Sequence, residues 1–131
     1  MSDLPDVSLV VESGSLSLEE LTAMLDHRPG VGSHSKGDPR GDRDTWNTTV
    51  WRENSNHSDS PLELQCRRLI EGMSAKLREL LRAGACDFAI RIDVAVYFTC
   101  AYLNLVISAA LMRDLASYNV ALEISGYPTV Q

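Results

Sequence analysis

The stretch from Asp87 to Thr99 restricts the fold more than any other. Phe88, Ile90, Ile92, Val94, Val96 and Phe98 alternate with Asp87, Ala89, Arg91, Asp93, Ala95, Tyr97 and Thr99 without a break. Side chains on a strand point to opposite faces at period two, so this pattern predicts a strand with one packed face. The other face is solvated or only partly covered. A doubly wound parallel sheet buries both faces and needs strands that are apolar throughout, so the pattern argues against it. The expectation is an α+β domain with a mainly antiparallel sheet and helices packed on one face.

The remaining elements follow from local signals. Val7 to Glu12 is short, apolar and β-branched between Pro5 and Gly14, which predicts a strand. Ser17 at the N-cap and Glu20 three residues into the helix form a capping box, and Leu16 and Leu21 match a hydrophobic staple. Leu18, Leu21 and Leu25 share a face, and Pro29 ends that helix near Asp26 or His27. Residues 30–59 form a polar loop and hairpin segment within a single domain spanning 1–131. Lys36 to Arg43 reads as a turn or mobile loop, with a hairpin tip at Gly37 to Gly41. Thr45 to Trp51 favours a strand. Trp46 and Trp51 would point to opposite faces of one regular strand, with one expected in the core. Ser60, Pro61 and Glu63 start a long helix whose stripe is Leu62, Cys66, Leu69, Met73, Leu77 and Leu80, widened by Ile70 and Leu81. Helical from Pro61 to Ala83, and ended by Gly84, it would be roughly 34 Å long. Glu63 with Arg67, and Glu79 with Arg82, stand at pairing distances on its outer side. Ser108 caps a helix to Tyr118, Asn119 closes it, and Val120, Leu122 and Ile124 alternate into a last strand. The element order is β-α-(β-β)-α-β-α-β.

Taken together, these residues resemble the bacterial family called domain of unknown function 4279. The resemblance lies in Ser13 to Leu25, Pro29, Lys36-Gly37, a tryptophan, a long helix, and the closing capped helix and strand with Leu122-Glu-Ile124. It spans roughly residues 7 to 127. Asp26 stands where a glycine commonly follows the helix leucine, and Gly30 where threonine often follows the proline. Some members of that family look like immunity proteins encoded beside bacterial toxins, so the resemblance implies a partner-binding role. It carries over no catalytic residue.

Chemistry-bearing motifs are few. His27, His34 and His57 lie in no HxxxH, HExxH or HxH arrangement, so no metal site is expected. Cys66, Cys86 and Cys100 form no CxxC pair and read as buried free thiols. Gly30 to Gly37 lacks the GK[ST] ending of a phosphate loop and has Ser35 where a third glycine would stand. No GxSxG elbow is present, and neither a catalytic residue nor a cofactor is expected. The N-terminal residues carry acids where a secretory signal carries lysine or arginine, and no run reaches the length of a membrane-spanning helix. A cytoplasmic protein is expected. The Arg40-Gly-Asp42 tripeptide and the two Asn-x-Ser/Thr sequons then have no extracellular role.

Charge points to a partner. Of the 131 residues, the first 60 hold 11 acids against 5 bases, whereas the remainder hold 7 of each, and the net charge is −6. An acidic surface repels nucleic acid and attracts a basic protein such as a toxin or nuclease domain. Asp38, Asp42, Asp44, Glu53 and Asp59 cluster with Trp46 and Trp51, an aromatic anchor within an acidic rim. This predicts a non-catalytic binding domain of immunity or antitoxin type. The plain alternative is that Arg40, Arg43 and Arg52 pair these acids locally. A second function class is a ligand-binding or catalytic site assembled from distant residues such as His34, Asp38 and Arg91. A third is homodimerisation through an uncovered sheet face.

Overall fold

The structure, a computed structural model, describes residues 5–55, 60–82, 88–98 and 105–128. The elements in chain order are β1 (Asp6–Ser13), α1 (Leu18–Leu25), β2 (Pro39–Arg40), β3 (Asp44–Thr45), β4 (Thr49–Asn54), α2 (Leu62–Arg82), β5 (Phe88–Phe98), α3 (Ala109–Ser117) and β6 (Ala121–Pro128). The four long strands form one sheet in the order β4-β1-β5-β6. β1 is antiparallel to both β4 and β5, and β5 and β6 are parallel. A parallel pair needs a crossover rather than a hairpin, and α3 lies in that connection.

The alternation of β5 sorts the molecule into two sides. Ile90, Ile92, Val94 and Val96 join Val7, Leu9 and Val11 of β1 and Trp51 of β4 in a core closed by Leu21 and Leu25 of α1, the stripe of α2, and Leu111 and Leu115 of α3. All three helices therefore cover the same face. Full burial of side chains of this kind contributes on the order of 1.5–3 kcal/mol each. The opposite face carries Ser8, Val10 and Glu12 of β1, Arg91, Asp93, Ala95 and Tyr97 of β5, Arg52 of β4 and Glu123 of β6, aligned across the strands by register.

Local signals act as their chemistry requires. The Ser17 side chain accepts from the Glu20 amide, and the Glu20 carboxylate accepts from the Ser17 amide, both at 3.1 Å. Asp26 ends α1 in the left-handed region at φ 50°. Ser108 caps α3 by accepting from the Leu111 amide, and Asn119 follows at φ 56°. α2 differs from its sequence reading at two positions. Leu81 is 40% exposed, whereas Gln65 is fully buried and joins three segments. Its amide donates to the carbonyls of Pro5 and Ser60, and its Oε1 accepts from the Ser55 hydroxyl at 2.5 Å. Glu63 pairs with Arg67, whereas Glu79 is held by Lys76 rather than Arg82. Gly84 lies outside the described residues.

The middle segment departs furthest from a single-strand reading. Thr45 and Trp51 do not share a strand, because the chain changes partner between them. Trp46 exchanges backbone bonds with the β2 leg, donating to Asp38 O and accepting from the Gly37 amide. From Thr49 onward the chain pairs with β1. The tip of the β2–β3 hairpin lies at 41–43, between Arg40 and Asp44. Residues 30–34 run along the outer edge of β4, where His34 and Val50 exchange two backbone bonds of 2.9 Å. The approach is closest at Gly30, where a Cβ would stand 2.9 Å from the Arg52 carbonyl oxygen, so glycine is required there.

Candidate functional site

Among the described residues, polar side chains gather on the β2–β3 hairpin and on the open face of the sheet. The hairpin is tied to the scaffold by a short run of polar residues. Ser35 Oγ accepts from the Leu18 amide at 2.7 Å, adding a further cap to the start of α1. Lys36 Nζ donates to Gly14 O at 3.0 Å, and the Lys36 amide donates to Thr49 Oγ1 at 2.9 Å. The fully buried Thr49 hydroxyl in turn donates to Leu16 O. Trp46 stacks on His34 with ring centroids 3.8 Å apart and 14° between planes, and the Arg40 guanidinium lies 4.6 Å from the Trp46 ring centre. Since His34 pairs with Val50, this stack sits at the margin of the open sheet face.

Of the residues expected to meet a partner, the structure groups only some. Asp42 and Asp44 are exposed on the hairpin, and among the described residues neither has an ion-pair partner. Arg40 lies on Trp46 and Arg52 is turned to Asp93, and among the described residues no ion pair joins Asp38, Asp42, Asp44 or Glu53 to Arg40, Arg43 or Arg52. Asp38 is exposed, with one oxygen accepting from the Ser35 amide. Trp46 is half-buried. Trp51 is a correction: it is fully buried, with its indole N–H donated to His27 O, and it offers no surface. Its position opposite Val11 on the helix-covered face is the reason. Glu53 belongs to that side too, and its carboxylate pairs with His27 Nε2 at 2.9 Å. Asp59 lies outside the described residues, as do His57, Cys86 and Cys100.

The catalytic alternative finds no convergence. None of His34, Asp38 and Arg91 lines the cavities formed by the described residues, and Arg91 is committed to Glu12 and Asp93. Burial lowers the pKa of His34 against the opposing pull of Asp38, the Thr48 carbonyl and Glu12, and Arg40 adds to the lowering. Its Nε2 has no hydrogen-bond partner among the described residues. Cys66 is buried, which pushes its thiol up to about 11, the opposite of an activated nucleophile. Among the described residues no three His, Cys, Asp or Glu side chains are placed to hold a metal, and no helix is long and apolar enough to cross a membrane.

The open face joins Arg91 and Arg52 to acids that the sequence does not single out, Glu12, Asp93 and Glu123. Arg91 bonds Glu12 at 3.1 Å and Asp93 at 2.7 Å and approaches Glu123 at 3.4 Å, while Arg52 bonds the other Asp93 oxygen at 3.1 Å. Desolvation opposes the charge on Arg91, but its bonds to Asp93 and Glu12 leave the pKa raised. Beside this network is a cavity of about 350 Å³. Among its lining residues, Ala95 stands in register between Asp6 of β1 and Ser125 of β6, with Ser8 one same-face position along β1, opposite Asp93. The signal was present as two-residue spacing: Arg91, Asp93 and Ala95 on β5, then Glu123, Ser125 and Tyr127 on β6. Only the register shows that they meet.

Comparison with known proteins places the whole described molecule in one family. The family described as Domain of unknown function (DUF4279) matches residues 3–129. The chain belongs to this family. No curated protein and no solved structure matches it. The DUF4279 match spans the segments that form both the hairpin and the open sheet face.

Proposed function

We propose that this DUF4279 chain is a non-catalytic binding domain of immunity or antitoxin type that acts in the cytoplasm and sequesters a basic protein, such as a bacterial toxin or nuclease domain. The observation that supports the reading best is the hairpin. It presents Asp42 and Asp44 without neutralising partners among the described residues, and a hydrogen-bonded strap holds it to the β1–α1 turn, the start of α1 and β4. Carboxylates held on a preorganised support lose little freedom on binding and can occupy positions that a basic cleft reserves for phosphates. Trp46 supplies apolar area beside them. The buried Cys66 thiol and the committed Arg91 fit a domain that binds rather than transforms.

Co-expression with the product of the adjacent gene, followed by pull-down, tests the proposal. The expected result is a stable complex and restored growth. Asp42→Lys with Asp44→Lys should slow association about tenfold at low salt and leave dissociation little changed. Absence of both complex and rescue would sink the idea.

A further inference from the structure

The cavity on the open sheet face is independent of the hairpin and has its own chemistry. Ala95 and Ser125 are register partners, and Ser8 lies diagonally from Ala95 on the same face, opposite Asp93; all three are short, so the sheet surface dips there. Asp6 on β1 and Glu123 on β6 flank that dip from either side of β5. The Tyr127 ring stacks on Tyr97 with centroids 5.4 Å apart and forms an aromatic wall that is held in place yet half exposed.

The charge balance selects the ligand. Among the described residues, Arg52 and Arg91 are the cations of this region, and both are spent on Asp93, one on each oxygen. An anion arriving here would compete with Asp93 for both guanidiniums. Counting Glu12, Asp93, Glu123 and Asp6 against those two arginines leaves two negative charges in excess. Asp6 has no ion-pair partner among the described residues, and Glu123 touches Arg91 only at 3.4 Å while remaining well exposed. Acids alone would not define a site, but here they rim a built depression beside an aromatic face. A flat guanidinium or a primary ammonium matches both features, since such cations bond carboxylates and lie against aromatic rings.

We infer that this cavity binds a guanidinium or primary ammonium group, held by Asp6 and Glu123 against the ring of Tyr127. The group is either carried by a free small amine or presented as an arginine or lysine side chain by a protein partner. The cavity volume is within the range of sites that take small molecules.

The test is an NMR titration of the full chain with agmatine, with an end-blocked arginine tripeptide, and with inorganic phosphate. The amides of Ala95 and Ser125 should shift and saturate with at least one of the two cations, and affinity should fall as salt rises. Saturation by agmatine alone assigns the site to a free amine, and saturation by the tripeptide alone assigns it to a partner's side chain. Glu123→Gln and Asp6→Asn should each weaken binding about fivefold. Ala95→Gln fills the floor without altering charge and should abolish binding while the remaining amide spectrum stays folded. Saturation by neither cation, saturation by phosphate instead, or full affinity in the Ala95→Gln protein would overturn the inference. Asp42→Lys with Asp44→Lys should leave this binding intact, so the result is separable from the fate of the hairpin proposal.

Discussion

Removing the Thr49 hydroxyl should loosen the hairpin more than its single atom suggests. Thr49 is fully buried, and its Oγ1 bridges two segments, accepting from the Lys36 amide and donating to the Leu16 carbonyl. Thr49→Val keeps shape and β-branching but leaves both backbone groups without that partner. A typical hydrogen bond contributes about 1 kcal/mol net, and a buried group left unsatisfied costs 1–3 kcal/mol. For one part-buried donor and one acceptor the expected loss is about 2 kcal/mol, or about 5–10 °C in Tm for a chain of this size. Thr49→Ser is the control: it retains the hydroxyl and loses one methyl group, about 0.8 kcal/mol. Urea unfolding measures the difference between the two. Hydrogen exchange should localise it, with the amides of Lys36, Gly37 and Trp46 exchanging faster in the valine protein, since all three belong to the strap and hairpin. A valine protein within about 0.5 kcal/mol of wild type, or no less stable than the serine protein, would refute the bridging role.

Two further outcomes follow from the core. Trp51→Ala should cost about 4 kcal/mol in urea unfolding, since it empties a fully buried site. Trp51→Phe should lose about 1–2 kcal/mol with the indole bond to His27 O, and an alanine cost below about 1 kcal/mol would contradict the burial. Cys66 should make stability fall at alkaline pH. Its thiol is pushed from 9.0 to about 11 in the fold, so between those values the unfolded chain binds fewer protons and stability drops as pH rises. The loss attributable to this group is on the order of 2–3 kcal/mol, and Cys66→Ala should abolish it. An unchanged pH dependence in that variant would count against the assignment.

Several features were legible because they are local. A cap depends on residues three apart, which is why Ser17 with Glu20, and Ser108, act as their spacing implies. The leucines of α2 mark its buried stripe, but the margins follow tertiary contacts. Leu81 falls just off the buried arc, and Gln65 is buried because the remote Pro5 carbonyl, with Ser55 and Ser60, supplies its polar partners. Hydropathy could not foresee that. Closeness along the chain suggests one acidic cluster, yet Glu53 and Trp51 face the helices while Asp42 and Asp44 stand on the hairpin. Proximity in sequence did not decide the face, because the chain changed pairing partner after Trp46.

By itself the sequence determined that a strand with one apolar face would be covered by capped amphipathic helices, since period, caps and breakers act within a few residues of one another. Tertiary structure decided which edges meet. It placed β1 between β4 and β5, set β6 parallel to β5, and laid residues 30–34 along the outer edge of β4. Backbone pairing is blind to side-chain identity, so pairing between remote segments depends on the whole core closing at once. That closure brought Asp6, Ala95 and Ser125 into one row, with Glu123 beside it, and so made the cavity.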